Sequence, residues 1–172
     1  MKLKNKIDEI SVIMLTEEKD AEEQIIEEIK KLPDINEQGR DGRTVLIHAC
    51  LYGLSRVAGF LIDVGADLNI KDCEGFTALH AAVYGNHDEI VDLLLHSGAS
   101  VKVKDGYGNS PLMRASFRNP KMIEKLMKHG CDPSEKNNFN VSPIDAFQAY
   151  PEIISLLQFG GSNEFSSNER QN

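Results

Sequence analysis

The stretch DCEGFTALHAAVYGNHDEIVDLLLHSGASVKVK, Asp72 to Lys104, decides the fold. One such length upstream, Asp41 to Lys71 reads DGRTVLIHACLYGLSRVAGFLIDVGADLNIK, and a third copy begins at Asp105. A 33-residue period marks an array of stacked units, each unable to bury its apolar face alone.

Each position of the period has a physical role. Thr44, Thr77, Ser110 and Ser142 stand where a first helix starts, and a hydroxyl there accepts from the free N–H groups of the first turn. Pro111 and Pro143 follow two of them, where a missing N–H costs nothing. Small residues come next: Ala49 with Cys50, Ala81 with Ala82, Ala115 with Ser116. They allow helices of adjacent units to approach closely. A turn at Gly53, at Gly85-Asn86 or at Asn119-Pro120 leads into a second helix. That helix carries Val57 and Leu61, then Ile90 and Leu94, then Met122 and Leu126. Gly65, Gly98, Gly130 and Gly160 end these second helices as left-handed terminators do. An extended piece then runs to a hairpin whose tip holds Gly42, Gly75 or Gly108.

The first forty residues have a different texture. Ile7, Ile10, Ile13 and Met14 recur at helical spacing. Asp20 and Glu23 form a capping pair ahead of Ile25, Ile26, Ile29 and Leu32, whose opposite face is Glu and Lys. An array needs an end unit with a polar outer side, and this helix pair fits that part. The expected organisation is a cap over 1–40, repeats over 41–71, 72–104 and 105–137, a capping repeat over 138–161, and a disordered tail over 162–172.

The totals exclude several classes. The net charge is −8, and residues 1–40, 41–104 and 105–172 are each net acidic. Such a chain repels nucleic acid and anionic membranes and suits a basic partner. No run approaches the ~18 apolar residues of a membrane span, and Asp8 and Glu9 break the only candidate leader. Three cysteines without a CxxC pair point to free thiols in a reducing, cytoplasmic setting. Phosphate-loop, zincin, hydrolase-elbow and EF-hand motifs are all missing from the sequence. His48, His80, His87, His96 and His129 share no ligand spacing with a Cys or carboxylate. Cys73 has Asp72 and Glu74 beside it, which disfavours an anionic sulfur. The chain is therefore read as non-enzymatic, with no catalytic residue, no cofactor and no metal.

With Gly75, Thr77, Leu79, His80, Ala81, Ala82, Ile90, Val91, Leu93, Leu94, Leu95, Gly98 and Ala99 in one period, the chain resembles the ankyrin-repeat family. The first full repeat agrees at Gly42, Thr44, Leu46, Ala49, Gly53, Leu61, Gly65, Ala66, Asp67 and Asn69. The resemblance covers residues 36–160 and implies an all-α ankyrin-repeat solenoid. Its helix–turn–helix–β-hairpin units number about five, counting degenerate end caps. The family's motif His is replaced by Ile47, Met113 and Asp145 in three of the units, and the last unit is short. In the family, His80 would bond neighbouring backbone in the hairpin.

The resemblance further implies a protein-binding module that uses its concave face and hairpin tips. With an end cap, a tail and no attached domain, this chain is expected to act alone, as a monomer. The family includes small bacterial proteins encoded beside secreted toxins, which points to an inhibitor or immunity protein; an adaptor is the alternative. In register, the hairpin tips present Arg43, Glu74, Phe76, Tyr107, Asn109 and Phe139. The ends of the first helices present Leu51, Tyr52, Tyr84, Phe117, Arg118 and Tyr150. Most of the four Tyr and seven Phe lie in these two rows, and Tyr and Arg are the side chains that dominate binding hot spots. Phe147 is assigned to filling the gap between helix and hairpin.

Overall fold

The computed structural model describes residues 6–14, 21–115 and 118–159. Ten helices form among them: α1 (Lys6–Ile13), α2 (Ala21–Ile29), α3 (Val45–Tyr52), α4 (Ser55–Asp63), α5 (Ala78–Tyr84), α6 (Asp88–His96), α7 (Pro111–Arg114), α8 (Pro120–Lys128), α9 (Pro143–Ala146) and α10 (Pro151–Phe159). The first helices of successive units, α3, α5, α7 and α9, pack on one another in series. The second helices pair likewise, α2 on α4, α4 on α6 and α8 on α10. The chain is thus an all-helical stack of helix pairs.

Equivalent positions of the period make one continuous core. Leu46, Leu79 and Leu112 of the first helices are buried, as are Val57, Ile90 and Met122 and then Leu61, Leu94 and Leu126 of the second. The N-terminal pair joins this core through Ile7, Ile10, Ile25 and Ile29. The Asp20 cap predicted for α2 lies outside the described residues, as do Ser116, Phe117, Gly160 and the tail.

The helix starts behave as their residue types require, with one exception. Thr44 accepts from the Ile47 N–H, Thr77 from the His80 N–H, and Ser142 from the Asp145 N–H. Ser110 has the same extended backbone but makes no capping bond, and Pro111 begins a helix of only four residues. His80 completes a capping box: its Nδ1 accepts from the Thr77 N–H at 3.3 Å. The proton is then on Nε2, which donates to the Asn109 carbonyl at 3.2 Å in the next unit. His87 closes a second gap, its Nε2 lying 3.1 Å from the Leu51 carbonyl. A Cβ at Gly53 would come within 2.5 Å of its ring, so a small residue is required there.

The hairpins expected from the sequence form as tight turns, without paired strands; among the described residues there is no strand. Each turn is closed by two backbone bonds: the Gly39, Asp72, Asp105 and Asn137 N–H groups donate to the Arg43, Phe76, Asn109 and Val141 carbonyls at 2.9, 2.9, 3.0 and 2.9 Å, and the Gly42, Gly75, Gly108 and Asn140 N–H groups donate back to the Gly39, Asp72, Asp105 and Asn137 carbonyls at 3.1, 2.9, 2.9 and 3.0 Å. Successive turns are joined by one more backbone–backbone bond each. The Cys73 N–H donates to the Asp41 carbonyl, Gly106 to Glu74, and Asn138 to Tyr107, at 3.0, 2.7 and 3.0 Å. A single bond per step does not make a strand ladder, yet it sets how closely the tips approach. Gly75 has φ +81°, and a Cβ there would fall 2.6 Å from the Gly106 nitrogen. In the last turn Asn140 takes this place with φ 61°, since no described turn packs upon it.

Two expectations follow. Leu94→Ala, at a fully buried position, costs about 2–5 kcal/mol of unfolding free energy in denaturant titration. A loss no larger than that of a surface variant would place Leu94 outside the core. The second concerns His48 and His80. Burial, opposed in part by the Asp41 charge at His48 and by the Asn109 bond at His80, holds both imidazoles below their ordinary range. Below about pH 6.5 the unfolded chain therefore takes up protons that the folded chain resists, and stability falls as pH drops. The denaturant midpoint should decrease between about pH 7 and about pH 5.5, and His80→Gln with His48→Gln should flatten that slope. An unchanged slope in the double variant would show that other groups carry it.

Candidate partner-docking groove

Where the turns of three successive units meet the ends of their first helices, they enclose a groove of about 320 Å³. The turns contribute Arg43, Glu74, Phe76 and Tyr107; α3 contributes Ile47 and Leu51; α5 contributes Ala81 and Tyr84. Arg114, from α7, closes it.

Two buried carboxylates build this place. Asp72 accepts from the Glu74 and Phe76 N–H groups at 2.9 and 2.8 Å, folding its turn around one oxygen. Its other oxygen accepts from Arg43 Nε at 3.1 Å. Asp105 repeats the arrangement. It accepts from the Tyr107 and Asn109 N–H groups at 2.8 and 2.9 Å and from Arg114 Nε at 2.8 Å, and Arg114 Nη2 bonds to it as well. Burial alone would raise the Asp105 pKa, but the bonds from Asn109, Arg114 and Tyr107 hold it below the ordinary carboxylate range. Burial likewise opposes the Arg43 charge. The Asp72 bond and the charges of Asp41, Asp72 and Glu74 outweigh it and raise its pKa.

The arginines are thereby fixed against aromatic rings. The Arg114 guanidinium lies 4.9 Å from the Phe76 ring centre and 5.8 Å from that of Tyr107, within cation–π range. Tyr84 meets Phe76 edge-on at 6.3 Å, and Phe139 stacks on Tyr107 at 6.4 Å. The result is one unbroken strip, Tyr84–Phe76–Arg114–Tyr107–Phe139. Phe76 is buried as its floor, while Tyr84, Tyr107 and Phe139 are 63%, 53% and 69% exposed. Tyr52, the last residue of α3, stacks on His48 at 6.0 Å.

The remaining predicted site residues are placed as follows. Asn109 is buried, bonded through its amide to Asp105 and through its oxygen to Asn137, so its work is inside the turn. Tyr150 is half-buried against the core, and Phe147 is buried. Arg118 is exposed, and Phe117 lies outside the described residues. Sequence reasoning missed Asp72, Asp105 and Arg114. The signal available was that Asp72 and Asp105 open their turns one period apart.

The architecture matches known sequence families. "Ankyrin repeats (3 copies)" matches residues 13–105, and "Ankyrin repeat" matches residues 107–138. The chain belongs to the ankyrin-repeat family. Over 41 residues it is 49% identical to serine/threonine-protein kinase TNNI3K of Mus musculus and of Rattus norvegicus. That segment is 24% of this chain, and the chain spans 5% of the length of either kinase, so the likeness is one of repeats. Ankyrin repeats are generally non-catalytic protein-interaction modules. Among the described residues, no three His, Cys, Asp or Glu side chains converge as a metal site, and no helix is long and apolar enough to cross a membrane.

The Asp105 arrangement can be dissected by substitution. Asp105→Ala leaves two turn N–H groups and a half-buried guanidinium without their acceptor, and should cost about 2–4 kcal/mol. Asp105→Asn keeps an oxygen for the turn, as Asn137 does in the last unit, and should cost less than half as much while releasing Arg114. Equal losses for the two variants in thermal unfolding would show that the charge, not the turn, is what matters.

Proposed function

We propose that this ankyrin-repeat protein binds a partner protein through the groove and its aromatic strip, as a monomer in a reducing, cytoplasmic setting. The observation that carries the reading is the clustering of exposed apolar side chains. Of the seven large ones exposed among the described residues, Tyr84, Tyr107 and Phe139 lie on this strip. A stack buries its bulky residues between helices, so aromatics left in water along one line have no folding role to explain them. Tyr is also a residue type favoured at hot spots, being large and rigid with one polar end. The partner is expected to be basic, because the chain is net acidic by eight charges. Covering a partner's surface in this way excludes other molecules from it, and we read the role as inhibitory, in the manner of an immunity protein.

The test is capture of partners on the immobilised chain, followed by affinity measurement on the captured protein. Tyr84→Ala and Tyr107→Ala should each weaken binding at least about tenfold, about 1.4 kcal/mol, with little change in Tm. Asp92→Ala, on the far helices where Asp92 pairs with Lys125 at 2.7 Å, should leave affinity unchanged. Release of the partner by the Asp92 change and not by the tyrosine changes would place docking elsewhere. If the captured protein is an enzyme or toxin, equimolar addition of the chain should abolish its activity; undiminished activity in the complex would replace the inhibitory role with an adaptor role.

A further inference from the structure

The groove has a charge pattern of its own. Four carboxylates line or border it, Asp41, Asp72, Glu74 and Asp105, against two guanidinium groups, Arg43 and Arg114. Both cations are already satisfied. Arg43 is held by Asp72 and by Asp41, the latter at 3.4 Å, and Arg114 by Asp105. Glu74 differs: it is exposed, and its carboxylate has no ion pair among the described residues. It lines the groove together with Tyr84 and Tyr107. The open part of the groove therefore offers the exposed ring of Tyr84 and the exposed Glu74 carboxylate, whose charge acts on Arg43 only through space.

We infer that the groove is a socket for a single cationic side chain, an arginine or lysine presented by the partner protein. This inference rests on the docking reading above and adds the chemistry of the contact. The entering cation stacks on Tyr84 and meets the Glu74 carboxylate, while its aliphatic stem lies along Leu51 and the Phe76 floor. Arg114 does not oppose it, because its charge is met by a buried carboxylate and its plane is taken up by Phe76 and Tyr107. An anionic side chain would face two engaged guanidinium groups and a net charge of the same sign as its own.

The experiment uses the full chain, isotope-labelled, with three small probes: acetyl-arginine amide, acetyl-glutamate amide and acetyl-leucine amide. Side-chain resonances of Glu74, Tyr84 and Tyr107 are followed by NMR as each probe is added. Acetyl-arginine amide should shift all three saturably, with a dissociation constant on the order of millimolar, and added salt should weaken it. Glu74→Gln and Tyr84→Ala should each weaken it about threefold. Acetyl-glutamate amide should give no saturable shift. Saturable binding of the glutamate probe, or an arginine response indifferent to Glu74→Gln, would overturn the cation socket. If only the leucine probe shifts Tyr84 and Tyr107, the cation socket fails and the docking strip stands. If no probe shifts them, the socket fails and the capture experiment alone decides the docking strip.

Discussion

Every turn of this stack must satisfy two backbone N–H groups that point inward at its tip. Buried N–H groups without partners are costly, and no strand ladder exists to take them. In three turns the first residue supplies the acceptor: Asp72, Asp105 and Asn137 each take the N–H groups two and four residues on. Gly39 opens the first turn and has no side chain. There the Arg43 N–H, four residues on, is taken by the Asp41 carboxylate at 3.0 Å, while Asp8 of α1 accepts from the Arg40 N–H at 3.2 Å and pairs with the Arg40 side chain, tying the N-terminal helix pair to this turn. Asn137 shows that a neutral oxygen suffices for the turn. The negative charge of Asp72 and Asp105 therefore does something more, which is to fix Arg43 and Arg114. Both arginines line the groove, so the constraint that folds the turns also furnishes its walls.

The stack is held between units by repeated long reaches of the same register. Asn36 and Asn69 accept from the Asp67 and Ser100 N–H groups at 2.9 Å, and Lys71 and Lys104 donate to the Lys104 and Lys136 carbonyls. With the tip-to-tip bonds, these set a close spacing between turns. Adjacent aromatic tips then fall within stacking distance, as Tyr107 and Phe139 do. The strip is a consequence of the period. One aromatic or arginine per repeat at the tip becomes a continuous surface only because the units are stacked tightly.

The helical elements were legible because each rests on local chemistry: Thr or Ser caps, apolar spacing, terminal glycines at positive φ. The exposed tyrosines were legible as members of two separate rows, Tyr107 at the turn tips and Tyr84 at the helix ends. Three things were not. The turns read as hairpins because glycine tips and flanking extended residues suit both, and only the bond count separates them. Arg114 sits inside the short α7 and reaches the groove of the preceding unit across Phe76, a distance in space that its position in the chain does not express. Asn109 sits at an exposed-looking tip position, but its bonds to Asp105 and Asn137 draw it inward. For Arg114 and Asn109 a contact with the neighbouring unit, Phe76 for one and Asn137 for the other, contributes to the outcome beyond any preference within one unit.

Two guanidinium groups, those of Arg43 and Arg114, are immobilised by the buried carboxylates of Asp72 and Asp105. The most direct measurement is the solvent exchange rate of arginine Nε–H protons, with the chemical shifts of the adjoining methylene groups, in the intact protein. Arg43 and Arg114 Nε–H should exchange slowly at neutral pH, and the Arg114 methylenes should be displaced upfield by the Phe76 and Tyr107 rings. Arg40, exposed and held at the surface by Asp8, should exchange rapidly. If Arg114 exchanges as fast as Arg40 and shows no ring-induced shift, the carboxylates do not build the groove and the account is wrong.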